Sequence, residues 1–169
     1  MVVAPGHDAR VDLPFVDRPS TPVAAPPEAA WEALAAHMGR TSELPGVGTF
    51  ARLVALREPR ASGAFPAAGS TIRGFRVAVS DPPRRLLLEG RHRFSDYELE
   101  WRIEPAPGDG CELSAETRAA FPGIAGTLYR AGVIGSRAHA VLMRRMLAQI
   151  ARAAEASATG SGARSGSRA

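Results

Sequence analysis

The chain has 169 residues, 45% of them hydrophobic, enough for one domain with its own core, and no apolar run approaches the ~20 residues that span a bilayer. The net charge of +4 is carried by arginine alone, with 21 basic residues, no lysine and 17 interspersed acidic residues, a pattern that argues against a one-signed nucleic-acid-binding face. The single cysteine, Cys111, excludes an internal disulfide and a Cys-based zinc site.

The N-terminal "MVVAPGHDARVDLP" lacks a continuous apolar stretch, so no signal peptide is expected and a cytoplasmic location is the default. Residues 1–10 read as flexible. Residues 15–25, "FVDRPSTPVAA", read as a first strand, placed at a sheet edge by their prolines. Residues 26–38 read as a helix, with Pro27 in its first turn, Glu28 at its positive end and an apolar stripe of Trp31, Leu34, Ala35 and Met38.

After a Gly/Pro-rich connection come strand-like runs at 49–56, 71–80, 85–94, 97–104 and 111–121, each followed by turn residues. A helical segment over 123–156 places Leu128, Ala131, Gly135, Ala138, Leu142, Met146 and Ile150 near one face. The Gly/Ser/Arg-rich 157–169 reads as a disordered tail. One α+β domain over 11–156 follows, with antiparallel strands and the helices on one side.

The stretch "GRHRFSDYELEWRIE" at 90–104 carries the most information. With a loop at Ser95–Asp96, Phe94 faces Tyr97, His92 faces Leu99, Gly90 faces Trp101 and Leu88 faces Ile103 on one face. The other face then pairs Arg93 with Glu98, Arg91 with Glu100 and Glu89 with Arg102. The aromatics point inward and the charges outward. A hydrolase-like use of His92, Ser95 and Asp96 is set aside, because this register leaves the serine and the aspartate at the turn.

His92 is then the one titratable group on an apolar face, either a wall residue or a ligand contact. Matching Arg76 with Glu89 on the preceding strand sets Phe75 opposite Gly90 and Arg73 opposite His92. An Arg and a His on the concave face would suit an anionic group. On 111–121 the inner face reads Cys111, Leu113, Ala115, Thr117, Ala119, Phe121, mostly small residues that leave room beneath the helix. Tyr129 could reach into that space. The four histidines have no metal-ligand spacing and no phosphate-binding glycine loop is present, so neither a metal nor another cofactor is expected.

Three stretches resemble the START-like superfamily (SRPBCC, Bet v1-like), in its polyketide cyclase/dehydrase branch: "STPVAAPPEAAWEAL" at 20–34, "GFRVAVSDPPRRLLLEGRHRF" at 74–94, and the amphipathic helix after "FPG" at 121–123. The resemblance spans about residues 12–156. It implies a helix-grip fold, in which a curved antiparallel sheet of seven strands wraps a long C-terminal helix around a cavity. Six clear strands are counted here. Members bind lipids, sterols, polyketides or hormones, and some are cyclases or dehydratases. The family has no universal catalytic motif, so no catalytic residue carries over.

Three functions are therefore expected, in this order. The first is a binding or carrier protein for a hydrophobic small molecule, with an anionic group allowed, contacted by Arg73, Phe75, His92, Phe94, Tyr97, Trp101, Thr117 and Tyr129. The second is a cyclase or dehydratase with His92 as general acid/base. The third is a protein-interaction module. Neither nucleic acid nor the membrane interior is an expected partner.

Overall fold

The computed structural model describes residues 13–41, 58, 60–93, 95–123, 126 and 137–165. In chain order it holds β1 (Phe15–Asp17), β2 (Ser20–Val23), α1 (Pro27–Thr41), β3 (Thr71–Ile72), β4 (Phe75–Asp81), β5 (Arg85–His92), β6 (Ser95–Pro105), β7 (Cys111–Ala120) and α2 (Ala138–Ser165). The expected strand over 49–56, with Leu128, Tyr129, Ala131 and Gly135, lies outside the described residues.

Among the described residues the sheet has seven antiparallel strands in the order β1-β7-β6-β5-β4-β3, with β2 also paired to β7. The expected first strand is thus two short segments on one edge, broken at Arg18–Pro19, where the Pro19 carbonyl accepts a bond from the Ala115 amide at 3.0 Å. Proline has no amide hydrogen to give the ladder, so the break costs little at an edge. The curved sheet grips the C-terminal helix, the helix-grip arrangement of an α+β domain.

Hydrophobic alternation sets the packing. Val77, Leu86, Leu88, Trp101, Ile103 and Leu113 point to the inner face and are almost wholly buried. Ala30, Leu34 and Met38 of α1 pack against them, with Met143, Leu147, Ile150 and Ala154 of α2. Each fully buried large side chain stabilises the fold by roughly 1.5–3 kcal/mol.

Both helix stripes differ from the expected ones. On α1 the buried line is Ala30–Leu34–Met38 with Ala33, while Trp31 and Ala35 flank it, half-buried. On α2 the face runs through Met143, Leu147, Ile150 and Ala154, and Leu142 is 55% exposed. On α2 the expected run of i, i+4 steps from Ala138 to Ile150 drifts around a 3.6-residue helix, whereas the observed line alternates four and three and keeps to one face.

The C-terminal helix differs at both ends. Arg137 has φ 60°, in the left-handed region, so the backbone is not continuously helical from 123 onward. At the other end α2 runs to Ser165, nine residues into the expected tail. Ala158 still packs against the core and the Thr159 hydroxyl bonds the Glu155 carbonyl at 2.9 Å, so the ladder persists past the last large apolar residue. The Glu155 carboxylate also accepts the Ala24 amide at 2.9 Å, tying α2 to the connection between β2 and α1. No helix among the described residues is long and apolar enough to cross a membrane.

Candidate functional site

The β5–β6 register differs from the expected one by four residues along β6. Gly90 pairs with Tyr97, Leu88 with Leu99, Leu86 with Trp101 and His92 with Ser95. The shift is even, so every side chain keeps its expected face. The observed register places Tyr97, in place of Trp101, over Gly90. The Tyr97 ring crosses directly over that residue, and a Cβ there would sit 2.2 Å from Tyr97 Cε2 and 2.3 Å from the Gly74 carbonyl oxygen. Beyond Gly90, the Tyr97 hydroxyl donates to the Gly74 carbonyl at 2.7 Å. One side chain thereby links β6, β5 and the β3–β4 turn.

Three expected cross-strand charge pairs are replaced. Glu89 faces Glu98 and Arg85 faces Arg102. The Glu100 carboxylate relieves the second repulsion by pairing both with Arg85 and with Arg102, the latter at 3.1 Å. Arg91 pairs with Asp96 at 2.9 Å.

Arg73 does not face His92. Residues 71–80 form a tight β3–β4 hairpin, with Ile72 paired to Phe75 and the turn at Arg73–Gly74. Gly74, with φ 87°, supplies the left-handed conformation that the turn needs. Arg73 is half-buried at that turn. The expected register of the next pair, Arg76 against Glu89, is present.

An aromatic cluster results at one end of the inner face. The Phe75 ring meets Tyr97 edge-on, centroids 5.2 Å apart, and the His92 ring lies 5.4 Å from Tyr97. All three are half-buried. Burial pushes the His92 pKa down, against a smaller upward pull from the Asp96 carboxylate.

Ser95 stands directly across from His92, not at a turn. A triad is still not formed. The Asp96 carboxylate is held by Arg91 on the outer face, and the Ser95 hydroxyl donates to the Asp96 carbonyl at 3.3 Å.

Further along the same face Trp101 is fully buried between sheet and helices, a core residue. Its indole nitrogen has no hydrogen-bond partner among the described residues. Thr117 is buried on β7, and its hydroxyl lies 3.1 Å from His139 Nε2 at the start of α2. The same nitrogen lies 3.3 Å from Asp17 Oδ1 on β1. Sequence reasoning missed Asp17 and His139. Asp17 shares the inward side of its pair partner Thr117, a signal that the proline-broken edge strand obscured. Phe94 and Tyr129 lie outside the described residues.

A groove of about 300 Å³ also lies on the opposite side of the sheet, lined by Arg18, Ser20, Glu104, Glu112 and Ser114. Its lining is polar and shares none of the aromatic cluster.

Residues 18–155, which include the sheet from β2 to β7, α1 and most of α2, match a family model described as polyketide cyclase/dehydrase and lipid transport. The chain belongs to this family. Its members handle hydrophobic small molecules, and membership supports a ligand-binding or polyketide-processing role for the chain.

Among solved structures, the fold is similar to that of a Streptomyces aromatase/cyclase, at 16% identity and TM-score 0.55, covering 82% of this chain and 92% of the other. A Rhizobium loti protein aligns at 16% identity and TM-score 0.54, over 81% and 94%. A third, from Thermobifida fusca, aligns at 18% identity and TM-score 0.51, over 80% and 93%. At these identities the likeness concerns the fold. No curated protein matches the chain.

Proposed function

We propose that the chain binds a hydrophobic small molecule of the polyketide or lipid class, as a carrier, between the inner face of the sheet and the C-terminal helix. The observation that carries this reading is the gradient of burial along that face. Trp101, Leu86 and Leu113 are sealed by the two helices, whereas Phe75, His92 and Tyr97 face inward yet stay half-buried. Large apolar rings held rigidly on a concave wall, with a few polar groups nearby, have the composition of a small-molecule site. Phe75, His92 and Tyr97 would contact the ligand, Thr117 would offer a polar contact, and Arg73 would sit at the rim of the β3–β4 turn. Trp101 belongs to the floor behind them. Family membership over residues 18–155 supports the same class of ligand.

One observation favours the enzymatic alternative, a cyclase or dehydratase using His92. Burial lowers the His92 pKa, which leaves the imidazole neutral and able to take a proton near pH 7. The similar Streptomyces protein is an aromatase/cyclase.

Mass spectrometry of small molecules released by denaturing the freshly purified protein tests the carrier reading. A stoichiometric apolar compound is expected, and Phe75→Ala should reduce its occupancy. No released compound, together with no thermal stabilisation by a panel of lipids and aromatic polyketides, would overturn it. Turnover of such a compound that is lost in His92→Ala would instead establish the enzymatic alternative.

A further inference from the structure

Asp17, Thr117 and His139 come from three separate elements, β1, β7 and the first turn of α2, and meet on the inner face. His139 Nε2 stands 3.1 Å from Thr117 Oγ1 and 3.3 Å from Asp17 Oδ1. A single ring nitrogen offers one N–H or one lone pair, so it cannot satisfy both oxygens. An Nε2 hydrogen can go to the threonine or, as an ion pair, to the carboxylate, but not fully to both. The Thr117 contact has hydrogen-bond geometry and the longer Asp17 contact does not, so Asp17 Oδ1 is buried with no hydrogen-bond partner among the described residues.

A second observation points the same way. Three buried side-chain polar atoms lack partners among the described residues, and two of them, Asp17 Oδ1 and Trp101 Nε1, belong to residues of the inner face. Trp101 pairs with Ala115, two residues along β7 from Thr117. An unmet acceptor and an unmet donor therefore lie on neighbouring rows of one concave surface. Leaving such groups unpaired is costly, and a buried partner relieves them.

We propose that Asp17, Thr117 and His139 form the polar subsite of the ligand cavity and select a neutral ligand bearing a hydroxyl donor, such as a phenol or an enol, over a carboxylate. The inference rests on the carrier reading and deepens it. A ligand hydroxyl donates to Asp17 Oδ1, while its oxygen remains free to accept from a neighbouring N–H or O–H. A ligand carboxylate brings a second negative charge against Asp17 and finds no donor that the cluster does not already use. This selection runs against the anionic ligand that Arg73 and His92 together would have favoured.

The test uses three probes of one shape, naphthalene, 2-naphthol and 2-naphthoate, titrated into the full chain at neutral pH. Hydrogen bonds to charged groups are strong enough that 2-naphthol should bind about tenfold or more tighter than naphthalene. 2-Naphthoate should bind no tighter than naphthalene. The isosteric Asp17→Asn should shrink the preference for 2-naphthol over naphthalene and admit 2-naphthoate. Thr117→Val should weaken 2-naphthol more than naphthalene. Equal binding of naphthalene and 2-naphthol by the wild type, or a preference that survives Asp17→Asn and Thr117→Val undiminished, overturns the subsite while leaving the carrier reading in place. Failure of all three probes to bind overturns both.

Discussion

Substitution of Gly90 by alanine tests the arrangement that builds the aromatic wall. A Cβ at this position would lie 2.2 Å from Tyr97 Cε2, 2.4 Å from Tyr97 Cζ and 2.3 Å from the Gly74 carbonyl oxygen. None of these atoms is the loose end of a flexible chain: the ring is fixed by its hydroxyl bond to Gly74, and the carbonyl is backbone. The ring must therefore leave. Its hydroxyl bond is worth about 0.5–1.5 kcal/mol, and its edge contact with Phe75 about 0.5–1.5 kcal/mol. With some ring surface returned to water, the loss comes to about 2–4 kcal/mol. For a chain of this size that lowers Tm by about 5–15 °C. Urea unfolding followed by circular dichroism gives the free energy directly. A double-mutant cycle supplies the control. In a Tyr97→Ala background the ring is gone and only the Gly74 carbonyl, 2.3 Å from the Cβ, still opposes it. Gly90→Ala should then cost less than it does in the wild type. An equal cost in both backgrounds, or no cost in the wild type, would refute the reasoning.

Three further outcomes are expected. Burial lowers the pKa of His92, and of His37 with a smaller contribution from Arg40, so the unfolded chain binds these protons more readily. Stability should therefore be unaffected by these groups above the ordinary histidine value of about 6.5 and should fall as pH drops through it; His92→Gln should flatten that fall, and NMR titration should place the His92 ring below 6.5. Cys111 is buried and its thiol pKa is raised, first by burial and then by Glu28; a disulfide reagent should label it about a hundredfold faster in denaturant than in the native protein. Glu100→Ala should destabilise by about 1–3 kcal/mol and more at low salt, because it leaves Arg85 facing Arg102 uncompensated.

The parity of residues 85–104 was legible in the sequence, and with it the inward direction of His92, Tyr97 and Trp101. Register was not, because parity survives any even shift. Two local arguments competed there. Opposite-charge pairing favoured one register, and the need for a glycine beneath an aromatic ring was met by either. The observed register adds the Tyr97 hydroxyl bond to the Gly74 carbonyl, whereas surface ion pairs are worth at most about 1 kcal/mol and Glu100 serves both arginines diagonally and along its own strand. The turn at Arg73–Gly74 was hidden by the apolar run on either side of it, so Arg73 was read as a strand residue. The contact of Asp17 with His139 joins opposite ends of the chain, and no local pattern encodes it. It exists because the broken edge strand and the start of α2 are both brought to β7.

The central claim is that the half-buried aromatic wall holds the ligand, and aromatic NMR of the full chain with naphthalene tests it most directly. The chain has two tyrosines, six phenylalanines and four histidines, few enough to assign by single substitutions. Resonances of Phe75, His92 and Tyr97 are expected to shift together and saturate at one equivalent, while the backbone amides of Ser20 and Ser114 in the groove on the opposite face, followed in the same titration, stay still. Shifts confined to that groove, or no saturable shift at the wall, would contradict it.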